Sequence, residues 1–197
     1  MTSDPCETCP LHAVTAVANH GCVPARVLFL SGAPRYHEDR ERRAFASPLF
    51  DWFQSLLAES GIDSAATHYA TMTGCRPPRQ RPLAQLEIDA CHGRIQHILE
   101  EVNPEVIALC GQEAVSAVLK QVSVQTAHGI AVLHDSRRYM PMRHPYAVSY
   151  HEPYVAELKQ DLERLHQLLS RSVTLETTAE PATDEEVKPD SSQMSLF

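Results

Sequence analysis

Three short apolar runs limit what this chain can fold into: "RVLFLSGAP" (26–34), "THYATMT" (67–73) and "EVIALCG" (105–111). Each has strand length, each runs into a loop marked by Gly, Pro or Cys, and the first and third are apolar at successive positions. A strand apolar at successive positions needs cover on both faces, which is the condition of a parallel sheet between two helical layers. Helix-length segments stand between the runs. In "SPLFDWFQSLLAESG" (47–61) Ser47 suits an N-cap, Pro48 the first turn and Gly61 the end. "LAQLEIDACHGRIQHILEEV" (83–102) reads as one long amphipathic helix, and "QEAVSAVLKQ" (112–121) follows the third strand directly. "RRYMPMRHPY" (137–146) predicts a fourth short strand ending in a His-Pro loop, and "PYVAELKQDLERLHQLLSR" (153–171) a final helix. This alternation predicts an α/β fold, a three-layer α/β/α sandwich with a central, mainly parallel four-stranded sheet. Ligands gather at the carboxyl ends of such strands, here the loops "SGAPRYHED", "GCRPPRQRP", "CGQE" and "RHPYAV".

One domain is expected over 1–171, since 43% apolar residues can build its core. From Ser172 the periodicity ends, and 172–192 reads as an acidic, disordered linker with 193–197 as a separate short peptide. No run approaches 18 apolar residues and the N-terminus lacks the basic-then-apolar pattern of a signal peptide, so a cytoplasmic, monomeric protein without a membrane span is expected. In a reducing compartment its six cysteines read as ligands or buried hydrophobes rather than disulfides. The net charge of −8 argues against nucleic acid only superficially, because 172–197 carries six acids against one lysine. Within the body Arg76, Arg79 and Arg81 cluster with no acid among them, and Arg40, Arg42 and Arg43 stand interleaved with acids. Local basic patches of this kind bind phosphate, although each also reads as a solvated loop.

Cys6 and Cys9 form a C-x2-C pair before the first strand, and Cys75 and Cys91 lie sixteen residues apart after the second. Together they can make a tetrathiolate site, with the terminus bringing one pair and a loop and its helix the other. Structural zinc and iron–sulfur clusters both accept four thiolates, and the spacing does not separate them. Cys110, inside an apolar strand end, reads as a core residue.

These residues, in this order, resemble the iron–sulfur uracil-DNA glycosylases, family four of that superfamily, over about 1–170. The early C-x2-C matches Cys6 and Cys9. "SGAPRYHED" followed by "AF" resembles the family's first active-site loop, Gly-Glu-Ala-Pro-Gly-x-x-Glu-Asp and then Pro-Phe. "GCRPPRQR" resembles Lys-Cys-Arg-Pro-Pro-x-Asn-Arg, Cys91 matches a cysteine on the next helix, and His144 with Pro145 matches a late His-Pro. The resemblance implies a 4Fe–4S cluster on Cys6, Cys9, Cys75 and Cys91, structural rather than catalytic, with zinc the alternative that spacing leaves open. It implies a base flipped out of DNA and held by Gly32, Ala33, Pro34, Phe45 and Thr71, with Phe45 stacking on it. It implies His144 as the donor that stabilises the anionic leaving base. The otherwise ordinary readings are core packing for Phe45 and a turn for His144. Arg76, Arg79, Arg81 and Arg143 are the expected DNA contacts.

The departures fall on the chemistry. Gly32 stands where the family has Glu, Arg35 where it has the closing Gly, Thr71 where an Asn reads the uracil edge, and Gly74 where Lys precedes "CRPP". Gly32 cannot activate water, and Asp39 is the expected substitute carboxylate, with Glu38 and His37 beside it. A degenerate, DNA-binding relative is therefore the alternative to an enzyme. The chain closes on "QMSLF", which resembles the bacterial sliding-clamp-binding peptide: Gln193 at a pocket rim, Leu196 and Phe197 in an apolar cleft.

Overall fold

The structure is a computed structural model that describes residues 6–12, 16–149 and 151–177, the last six by backbone alone. Six strands form one sheet: β1 (His20–Gly21), β2 (Val27–Ser31), β3 (Thr67–Thr71), β4 (Val106–Cys110), β5 (Val132–His134) and β6 (Arg137–Met142), in the spatial order β1-β3-β2-β4-β6-β5. The middle four pair in parallel, as the alternating pattern predicts. The outer two are short antiparallel additions that the apolar pattern did not reveal. β1 has two residues, too few to show a period. β5 leaves Leu133 73% exposed and is held by a hairpin at Asp135–Ser136, both at positive φ, where the twist of two strands asks for that conformation.

Alternate residues of β2 and β4 enter opposite layers. Val27, Phe29, Val106 and Ala108 pack with Phe53 and Leu57 of α2 (Phe50–Glu59) and with Leu158, Leu162 and Leu165 of α7 (Tyr154–Thr177). Leu28, Leu30, Ile107 and Leu109 face Ile98, Leu99 and Val102 of α4 (His92–Val102) and Ala114 and Val115 of α5 (Gln112–Val118). Both faces are covered, so the strands are apolar throughout. Pro141 sits in β6 beyond its pairing with β5, where a missing N–H costs no ladder bond on that side.

Two helices differ from expectation. The stretch 83–102 is not one helix but α3 (Gln85–Ala90) and α4, broken at Cys91, whose ψ of 1° leaves the helical region. Gly93, a poor helix former, follows the break. The final helix α7 runs to Thr177, six residues past the apolar period that predicted it. Two further short helices, α1 (Tyr36–Glu41) and α6 (Val124–Ala127), follow β2 and α5. No helix among the described residues is long and apolar enough to cross a membrane.

Candidate active site

The parallel register brings the ends of four strands to one edge. Ser31 pairs with Thr71 on one side and Cys110 on the other, and Cys110 pairs with Met142. The loops that follow therefore share that edge, and they carry Gly32, Gly111 and His144. Gly111, at φ 91°, lets β4 turn into α5, and a Cβ there would stand 3.5 Å from the His144 Cβ.

The loop after β2 is fixed by one buried carboxylate. Glu38, on α1, accepts the Arg35 N–H through Oε2 at 2.7 Å and the Phe45 N–H through Oε1 at 2.6 Å. Those two bonds bend the chain back on itself: Arg42 and Phe45 take φ of 53° and 57°, and the Ala44 N–H reaches the Ala18 carbonyl at 2.8 Å. Burial raises the Glu38 pKa, and the two backbone donors oppose that rise. Phe45 is fully buried. Its ring lies nearly parallel to that of His144, with centroids 5.6 Å apart at an interplanar angle of 12°.

Tyr146 ties these two residues together. Its hydroxyl donates to the Phe45 carbonyl, and its backbone N–H donates to His144 Nδ1 at 3.3 Å. Nδ1 thus accepts, so the neutral ring carries its proton on Nε2. Burial, and secondly the charge of Arg35, push the His144 pKa down to about 3. A neutral imidazole at this edge can donate through Nε2 to a developing anion.

A cleft of about 620 Å³ opens beside this arrangement, lined by Arg35, Tyr36, Glu38, Ser47, His144 and Tyr146 among others. That size suits a nucleobase with part of its sugar. Phe45 sits behind His144 and does not itself line the cleft. Tyr36, 52% exposed, stands at the rim with the guanidinium groups of Arg40 and Arg76 over its ring at 5.9 and 5.7 Å. A second cleft of about 530 Å³ shares Arg35 and Gln80 with the first and holds Ala33, Pro34, Arg81 and Glu113.

The other expected site residues scatter in what they can do. Asp39 bonds Arg42 at 2.7 Å and faces Arg76 at 3.7 Å, so it is an ion-paired group rather than a carboxylate turned to the cleft. Thr71 is fully buried and donates its hydroxyl to the Thr73 carbonyl at 2.7 Å. Arg79 is exposed. Arg81 grips the buried Glu87 with both terminal nitrogens, at 2.9 and 2.5 Å. Arg143 pairs with Glu157 and lies 4.1 Å over the Tyr154 ring. The sequence carries no local signal for the fixing role of Glu38, the tie through Tyr146 or the approach of Glu113, beyond the place of Glu38 beside Asp39.

The four cysteines lie within electrostatic reach of one another. Cys9 donates its N–H to the Cys6 carbonyl in a tight turn. Val17 N–H binds the Gly74 carbonyl at 2.6 Å, which pins the N-terminal segment to the loop that carries Cys75. Burial raises the Cys75 pKa, and the thiols of Cys91, Cys6 and Cys9 add to that rise; burial likewise raises that of Cys91. Arg94, largely buried, interacts favourably with Cys91 and Cys75 and donates to the Thr71 carbonyl at 2.5 Å and to the Asn19 side chain. Among the described residues no three Cys, His or carboxylate groups stand close enough to hold a single metal ion. Gln193, Leu196 and Phe197 lie outside the described residues.

The sequence profile of the uracil DNA glycosylase superfamily matches residues 18–166. A type-4 uracil-DNA glycosylase of Thermotoga maritima is 30% identical over 145 residues, 71% of this chain and 76% of the relative. One from Saccharolobus solfataricus is 24% identical over 189 residues, 87% of this chain and 85% of the relative. A type-5 uracil-DNA glycosylase of Pyrobaculum aerophilum is 30% identical over a shorter 94 residues.

Proposed function

The chain belongs to the uracil DNA glycosylase superfamily, and from that premise we propose that it hydrolyses the N-glycosidic bond of uracil, or of a closely related base, in DNA. The observation that carries this reading is the neutral His144, its Nδ1 occupied and its Nε2 free to donate, on a nucleobase-sized cleft at the carboxyl edge of the sheet. As the C1′–N1 bond breaks, its electron pair leaves on the base, and a donor at the pyrimidine oxygen stabilises the anion without a competing charge of its own. The Phe45 ring faces that of His144, so a base stacking on Phe45 would have to take the place of the imidazole. Tyr36, Arg40 and Arg76 form a rim on which a neighbouring base and phosphate can rest.

Cys6, Cys9, Cys75 and Cys91 are the ligands this reading gives to a 4Fe–4S cluster, with a single zinc the alternative. Zinc gathers four sulfurs to about 2.3 Å from one point, whereas a cluster gives each thiolate its own iron. Cys75 feels the thiols of Cys91, Cys6 and Cys9, and Arg94 interacts favourably with Cys91 and Cys75. Bound there, a cluster supplies a covalent brace between the N-terminal turn and the loop after β3. The base-releasing step asks nothing of it.

The terminal "QMSLF" extends the proposal to recruitment by a bacterial-type sliding clamp. The 15 residues between the end of α7 and Gln193, acting as a flexible tether, would span about 20 Å root-mean-square, which would keep the enzyme body near DNA threaded through the clamp. Clamp binding that survives Leu196→Ala with Phe197→Ala would remove this part of the reading.

The second reading, a DNA-binding relative without catalysis, is favoured by Thr71, whose hydroxyl proton is committed to the Thr73 carbonyl. Base release from a single-stranded uracil oligonucleotide separates the two. Wild type is expected to leave alkali-labile sites, and His144→Ala to lose about 10²–10³-fold in rate. Intact oligonucleotide with wild type supports the second reading, and equal cleavage by both proteins removes His144 from the chemistry.

A further inference from the structure

Gly32 directly follows β2, and the space a side chain would need there is taken. A Cβ at Gly32 would stand 2.1 Å from Glu113 Oε2, 2.7 Å from its Cγ and 2.8 Å from its Cδ. Glu113, in the first turn of α5, has thus entered the volume in which any longer residue 32 would begin its side chain. Its Oε2 accepts the Ala33 N–H at 2.8 Å and its Oε1 accepts the Leu83 N–H at 3.0 Å. One carboxylate therefore holds the loop after β2, the loop after β3 and the start of α5. It faces the second cleft, which meets the His144 cleft at Arg35 and Gln80.

The other carboxylates of this edge are committed elsewhere. Glu38, like Glu113, accepts one backbone N–H on each oxygen, but it is 2% exposed beneath Phe45, whereas Glu113 is only half-buried. Asp39 is paired with Arg42 and Arg76, and Glu87 with Arg81. Glu113 has no ion-pair partner among the described residues, and each of its oxygens keeps a second acceptor position.

We propose that Glu113 is the general base of hydrolysis, delivered from α5 into the place that Gly32 leaves open. The role rests on the glycosylase reading above. The C1′–N1 bond breaks with its electron pair on the departing base, the oxygen of a water bonds to C1′, and the proton of that water passes to Glu113. Gly32 is then the complement of Glu113 rather than a lost residue, since any side chain at 32 would expel the carboxylate.

Four proteins test this in single-turnover base release, with DNA affinity and Tm measured on the same samples: wild type, Glu113→Gln, Glu113→Gly, and Gly32→Glu combined with Glu113→Gly. Glu113→Gly alone is the reference for the exchange. Glu113→Gln is expected to lose about 10²–10⁴-fold in rate with DNA affinity retained, and the exchanged protein to recover at least ~10-fold of such a loss relative to Glu113→Gly. An active wild type with an equally active Glu113→Gln overturns this role alone. So does an exchange that restores nothing, or a loss in Glu113→Gln matched by its loss in DNA affinity, the mark of a merely structural clamp. A wild type that releases no base overturns both this role and the proposed function.

Discussion

Two adjacent carboxylates, Glu38 and Asp39, are expected to respond very unequally to removal. Glu38 is 2% exposed and satisfies two backbone N–H groups, those of Arg35 and Phe45. Glu38→Ala orphans both, and a buried donor without an acceptor costs about 1–3 kcal/mol, so the loss is about 2–6 kcal/mol. In a domain of this size each kcal/mol lowers Tm by roughly 2–4 °C, which places the fall between roughly 4 and 24 °C. Glu38→Gln keeps one acceptor and turns an amide donor toward the other N–H, so it should lose about half as much. Asp39→Asn gives up an ion pair whose Arg42 side chain is 47% exposed. Such pairs contribute about 0.2–1 kcal/mol, a fall of no more than ~4 °C. Thermal unfolding followed by circular dichroism, at one pH and ionic strength, reads all three. Because the Phe45 N–H is one of the two orphans, base release should fall with Glu38→Ala and persist with Asp39→Asn. Equal Tm losses at the two positions, or a Glu38→Ala loss no larger than that of Asp39→Asn, would refute the view that Glu38 fixes the loop; a slow Asp39→Asn of unchanged Tm would return Asp39 to the chemistry.

The pH dependence has a definite sign. The folded pKa of His144, about 3, lies below its unfolded value, so between the two the unfolded state binds more protons and stability falls as pH drops from about 6.5 toward 3. The ring itself should stay neutral throughout pH 5–8, seen as an Nε2–H tautomer by NMR, and a His144 titration midpoint near 6.5 would refute its lowered pKa. For the four cysteines, anaerobically purified protein should be brown and carry about four irons with their sulfides. Cys91→Ser should bleach it and loosen the N-terminal segment to proteolysis; a colourless wild type holding one zinc would overturn the cluster assignment.

The fold was legible in the sequence because its signal is local. Val27–Ser31 and Val106–Cys110 are apolar at almost every position, which already demands helices on both sides, and parallel pairing then places every strand-end loop on one edge. The grouping of Cys6, Cys9, Cys75 and Cys91 rests instead on the family resemblance, since a lone C-x2-C also reads as a redox pair or as nothing. The break at Cys91 was hidden within an amphipathic period that continues across it. The identity of the working carboxylates was hidden more deeply. Asp39 and Glu38 are neighbours of the same charge, and only the backbone's return at Phe45 turns one inward and leaves the other to arginines. Glu113 meets Ala33 across 80 residues of sequence, in a space that exists because residue 32 has no side chain. A chain read in order records which residues are apolar and how they repeat; which side chain fills an empty volume is decided by packing, and packing joins residues through space.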